Sequence, residues 1–216
     1  MGKIYFYKMT ADTGGAPCVE RGLLSLAICK PMIRSTAERG DLIFGFAAKS
    51  LSVDNRPIYI GRVTNNLRDG VYFKDRRYAD RGDCVYRLQR GRFVWRKGAL
   101  HHGPSDLVHD VGEPPEYLRA NVVLSGDFRY FGATGNDGYK AKYPRIKKAV
   151  ESLGQGHRVW YDENLRTELR QMADWIWQSG NKKVLGPPTS APTRDTRHRG
   201  RTCGIVLGPD TSQFQP

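Results

Sequence analysis

Cysteine is scarce in this chain, and no two cysteines stand as C-x-x-C. Cys18, Cys29, Cys84 and Cys203 are spaced too widely for a structural zinc site or for the dense disulfide framework of a small secreted domain. No apolar run approaches the ~20 residues that cross a bilayer. The opening KIYFYKM lacks the apolar stretch and cleavage site of a signal peptide. These absences predict a cytoplasmic protein with reduced thiols and no membrane partner. Familiar catalytic signatures are missing too: there is no P-loop, no H-x-E with P-C-x-x-C, and no S-x-x-K. No cofactor is expected. Acidic residues are few, 22 against 35 Lys and Arg, which leaves a net charge of +13. That excess predicts a polyanionic partner, a nucleic acid or a nucleotide.

Hydrophobic residues make up 39% of the 216, enough for the core of one large domain. Lys3 to Met9 reads as a first strand and TADTGGAP as a loop. Leu23 to Cys29 is a short apolar segment, helix or strand. Pro31 to Arg39 suits a helix, with Pro31 in its first turn and Gly40 at its stop. Leu42 to Ala47 and Ile58 to Val63 read as strands that pair across the Lys49–Pro57 loop. Further strands are expected at Val71 to Phe73, Cys84 to Gln89, Arg92 to Trp95, Asn121 to Ser125 and Arg129 to Gly132. About seven or eight strands before residue 133 predict a small barrel or strongly curved sheet. Pro144 to Leu153 and Asn164 to Ser179 read as helices; the second repeats apolar residues at 3–4 spacing. Pro187 to Pro216 lacks hydrophobic periodicity and is expected to be a disordered tail.

Two resemblances follow from ordered blocks. YFYKMT, GDLIFGFAAKS and IYIGRVT resemble the PUA-like superfamily, especially EVE, YTH and ASCH domains. YKMTADTGGAP, LSLAICKPMIRSTAERGDLIFG, GDCVYR, LHH and VVLSGDFRYFG are similar to the nucleotide modification associated domain 2 (Nmad2) family. This second similarity runs from about Lys3 to Gly132, with an echo in the C-terminal helix and VLGPP. Together they imply an α+β fold: a PUA-like curved sheet or small β-barrel with flanking helices and a C-terminal helix. The domain would span 1–186, with the barrel at about 3–132, helices at 144–180 and the tail at 187–216. The second resemblance implies a link to modified bases, with DNA ahead of RNA. It also implies a bulky aromatic before Ala16, where this chain has Gly15.

The ligand pocket expected from these blocks is Tyr7, Lys8, Thr10, Asp12, Arg34, Lys49 and Ser50. Lysine and arginine hold phosphates, and aspartate accepts hydrogen bonds from a base edge. Asp41 reads as scaffold. Arg62, Arg76, Arg77, Arg87 and Arg92, among aromatics, suit a phosphate-tracking surface. His101, His102, His109 and Asp110 are the one imidazole cluster. His101 or His102 would supply an acid or base, but on a strand adjacent side chains face opposite ways and no metal site is expected. Cys29 beside Lys30 has the setting of a nucleophile, yet buried cysteines are more often inert and no partner can be assigned to it from sequence. The leading reading is a binding module that holds a modified or extruded base; the alternative is an enzyme acting on a nucleotide or DNA base through a histidine.

Overall fold

A computed structural model describes residues 2–154 and 156–191. Cys203 and most of the expected tail lie outside the described residues. In chain order the elements are β1 (Ile4–Met9), β2 (Cys18–Glu20), β3 (Leu23–Leu26), α1 (Pro31–Thr36), β4 (Leu42–Ala47), β5 (Pro57–Arg62), β6 (Asn65–Leu67), α2 (Val71–Lys74), β7 (Tyr86–Gln89), β8 (Arg92–Trp95), α3 (Leu107–Val111), β9 (Val122–Ser125), β10 (Asp127–Tyr130), α4 (Tyr139–Lys142), α5 (Pro144–Ser152), β11 (His157–Arg158) and α6 (Glu163–Gln178).

A five-stranded sheet, ordered β10-β5-β4-β1-β11, forms the centre. Its inner strands read as continuous apolar runs because both faces are covered. All six residues of β4 are buried. One face packs Ile4, Phe6, Phe44 and Phe46 against Tyr139, Ile146, Leu169 and Met172 of the C-terminal helices. The other packs Tyr5, Tyr7, Ile43 and Tyr59 against Leu24, Leu26, Ile33 and Val123. Those last residues come from α1 and from a four-stranded sheet, β2-β3-β9-β6. A third core joins Ala27 and Ile28 to Tyr72, Phe73, Tyr86, Phe93 and Val122. Gly45 is needed in mid-strand: a Cβ there would stand 2.4 Å from the Tyr59 ring.

The α+β class holds, but among the described residues the strands form three separate sheets and no closed barrel. Val71 to Phe73, expected as a strand, is the short helix α2. The strands expected at Cys84 to Gln89 and Arg92 to Trp95 pair with each other as β7 and β8, with Tyr86 opposite Trp95. Helix α1 ends at Thr36 rather than Arg39. Side chains take its last carbonyls: Asn66 Nδ2 donates to Arg34 O and Ala37 O, and Arg68 donates to Ser35 O. At the start of the expected tail, residues 187–190 are bonded to the body. The Ala133 amide donates to Pro187 O, and the Ser190 amide donates to Asp12 O.

Candidate active site

Between β3 and α1 the chain makes a sharp turn through two consecutive non-glycine residues in the left-handed region. Cys29 has φ 57° and Lys30 φ 44°. Such conformations are uncommon outside glycine and persist only where the surroundings hold them. Here Arg34 supplies the hold. Its side chain is fully buried. Its Nε donates to Cys29 O at 2.6 Å, its Nη1 to Arg119 O and Asn121 O, and its Nη2 to Asp110 O at 2.7 Å. One guanidinium thus pins the turn, α3 and the segment leading into β9.

The same clamp sets the geometry of the thiol. Cys29 Sγ lies 3.2 Å from His102 Nε2, and His102 Nδ1 lies 2.5 Å from Asp110 Oδ2. Asp110 is buried in the short helix α3 and takes two more donors. The Cys29 amide donates to its Oδ1 at 2.9 Å, and the Tyr86 hydroxyl donates to its Oδ2 at 2.7 Å. Burial alone would raise the Asp110 carboxyl. The His102 hydrogen bond and charge, Arg34 and Tyr86 outweigh that and hold it below its ordinary value. A carboxylate can only accept, so the Nδ1 proton belongs to His102. That tautomer leaves the Nε2 lone pair directed at the thiol. His102 itself has φ 52°, and Trp95 Nε1 donates to its carbonyl at 3.1 Å.

Cys29, His102 and Asp110 stand in the arrangement that a nucleophilic thiol, its base and an orienting carboxylate take. The other two described cysteines differ. Cys18 and Cys84 are buried, and burial pushes the Cys84 thiol up to about 11.

The two histidines sit in a loop rather than on a strand, and His101 has different neighbours from His102. It packs on Gly15, where a Cβ would come within 2.6 Å of the imidazole. The glycine at 15 is therefore required by His101.

The expected ligand pocket does not assemble as one site. Tyr7 is buried, its hydroxyl 2.9 Å from that of Tyr59. Asp12 is a structural anchor: it accepts from the Tyr130 hydroxyl at 2.6 Å and from the amide and hydroxyl of Thr189 at 2.9 Å. Arg34 is the internal clamp rather than a phosphate ligand. Lys8 donates to Glu151 O on the α5 side of the sheet, and partial burial and then Lys49 lower its ammonium. Thr10, Lys49 and Ser50 are exposed. Asp41 is scaffold, accepting from the amides of Lys3 and Glu38. Of the expected backbone-binding arginines, Arg76, Arg87 and Arg92 are exposed. Arg77 is paired with Asp75 at 2.6 Å, and Arg62 with Asp127 at 3.1 Å. Arg81, in the same basic stretch, is buried against Tyr72, Ser25 and Asp83.

A cavity of about 300 Å³ is lined by Tyr139, Met172, Trp175 and Ile176. It lies on the C-terminal-helix side of the large sheet, and no cysteine or histidine lines it. The triad is built on the opposite side.

The site carries an acid-sensitive signature. Burial, then His102, lowers the His101 imidazole against the opposing effect of Glu20. Burial, then Lys30, lowers that of His157. A histidine whose folded pKa is depressed adds stability above the unfolded value, about 6.5, and that stability is lost as pH falls through the folded value. Asp110, also depressed, loses its contribution lower still, below about 3.9. The melting temperature is expected to drop in two stages on acidification. In His101→Gln/His157→Gln protein, differential scanning fluorimetry should show the first stage reduced and the second retained.

A family model described as nucleotide modification associated domain 2 matches residues 1–195. No curated protein matches, and no solved structure matches.

Proposed function

The chain belongs to the Nmad2 family, and from that premise we propose that it is a thiol enzyme that transfers or removes an acyl group on a nucleotide or nucleic-acid base. The observation that carries this reading is His102, placed between Cys29 Sγ and Asp110. His102 Nε2 takes the thiol proton as Sγ attacks the substrate carbonyl carbon. The imidazolium, oriented by Asp110, then protonates the departing nitrogen as its bond to carbon breaks. A Cys29 thioester remains. Water or an incoming amine attacks it, giving its proton to Nε2, and the thiol is restored when the C–S bond breaks.

An acyl centre is favoured over attack on a pyrimidine ring, which calls for an acidic group on the substrate's side. Asp110, the carboxylate of this site, is buried and occupied by His102, Tyr86 and the Cys29 amide. The exposed arginines Arg76, Arg87 and Arg92, with the net charge of +13, favour a polyanionic substrate, and DNA is our first choice.

p-Nitrophenyl acetate tests the chemistry. The full chain is expected to release a stoichiometric burst of p-nitrophenolate and to gain one acetyl group, mapped by mass spectrometry to Cys29. Cys29→Ala protein should give neither. A burst that persists in Cys29→Ala would refute the reading.

A further inference from the structure

Lys30, the residue after the nucleophile, is held in the left-handed region and cannot relax into the helix that follows it. Its ammonium lies 4.8 Å from the centroid of the Tyr7 ring. That ring is a fixed platform, buried and bonded through its hydroxyl to Tyr59. On β11, His157 pairs in register with Tyr7, and its imidazole is 6.1 Å from the Tyr5 ring. The Lys30 charge acts on that imidazole. Lys30 and His157 thus lie against neighbouring tyrosine rings of β1, beside the thiol turn.

What Lys30 lacks is a counter-ion. Arg62, Arg77 and Lys140 each sit on a carboxylate, whereas among the described residues Lys30 makes no ion pair, and His157, its imidazole lowered by burial and by Lys30, stands beside it as a neutral donor. The Lys30 ammonium donates no hydrogen bond there either, and both residues are only half-exposed. A cation kept against an aromatic face without an anion, next to a nucleophile, is arranged to receive one from outside.

We propose that Lys30, with His157 beside it, is an anion subsite that seats a phosphate of the substrate, monoester or diester, next to Cys29. This rests on the reading of Cys29 as the nucleophile. It makes Lys30 a specificity-determining residue: an acyl substrate without a phosphate would react, but would not be preferred.

Two alkylating probes of similar size and different charge separate the possibilities. Cys29 in the full chain is alkylated with iodoacetate and with iodoacetamide, and the rates are followed by mass spectrometry in wild type and Lys30→Gln. The iodoacetate-to-iodoacetamide rate ratio is expected to fall roughly 5- to 30-fold in Lys30→Gln, as for loss of one close, partly screened charge contact. An unchanged ratio with rapid alkylation would overturn the subsite alone. Alkylation of wild type by both reagents no faster than that of a cysteine peptide would overturn the nucleophile reading and the subsite with it. Protection of wild type by deoxyadenosine monophosphate supports a monoester, and protection by a DNA oligonucleotide with unphosphorylated ends supports a diester. Protection by neither would overturn the subsite.

Discussion

His102→Asn is expected to lower the rate of Cys29 acylation by about 100- to 10,000-fold, the range spanned by loss of a positioned general acid or base. Asparagine is close in shape to the inner part of imidazole and keeps a donor for Asp110. It has no basic nitrogen at the distance of Nε2, which lies 3.2 Å from Sγ. The thiol then has no base at hand, and the departing group no acid. Asp110→Asn should act in the same direction by releasing the tautomer, since an amide no longer forces the proton onto Nδ1. The two losses should not add, because both variants disable one proton path. The measurement is the p-nitrophenolate burst rate, with thermal unfolding recorded in parallel. A His102→Asn protein that acylates at the wild-type rate would remove histidine from the reaction.

The second large effect falls on stability. Arg34→Met should destabilise the protein by on the order of 3–5 kcal/mol, the range seen when one partner is removed from a buried, hydrogen-bonded charge. Methionine fills much of the volume but leaves the carbonyls of Cys29, Asp110, Arg119 and Asn121 without their donors. Such orphaned groups keep their full desolvation cost. At about 2–4 °C per kcal/mol for a chain of this size, the melting temperature should fall by roughly 6–20 °C. Lysine is no substitute, because its single ammonium cannot span the carbonyls that the guanidinium fork reaches. Arg34→Lys should also slow Cys29 acylation at temperatures where it remains folded, because the clamp fixes both the thiol turn and Asp110. A melting temperature within a degree or two of wild type would show that the buried guanidinium is not the clamp.

The chain's local pattern was enough for the class and the main elements. The apolar runs of β1, β4 and β5, the short strands β7 and β8 and the 3–4 periodicity of α6 are local properties, and each appears where expected. Val71 to Phe73 failed for a local reason too: three apolar residues fit a strand or one helical turn equally well, and packing against Tyr86 and Phe93 decided it. The barrel failed because spacing counts strands without saying which of them pair.

The candidate site divides along the same line. Cys29, His102 and Asp110 could each be named from residue type, since a thiol beside a cation and an imidazole cluster are visible in one dimension. Their alliance could not. Cys29 and His102 are 73 positions apart, and Cys29 and Asp110 are 81 apart, with no motif joining them. Burial was equally hidden. Asp12 and Arg34 look like ligand residues in sequence because polar side chains usually face water, and both are enclosed by partners brought from distant strands and loops. By itself the sequence determined a basic α+β chain with Nmad2 character and reactive residue types. Only the tertiary structure decided that three of those residues stand in one line of contacts, because a hydrogen bond acts over about 3 Å and only folding brings distant positions that close.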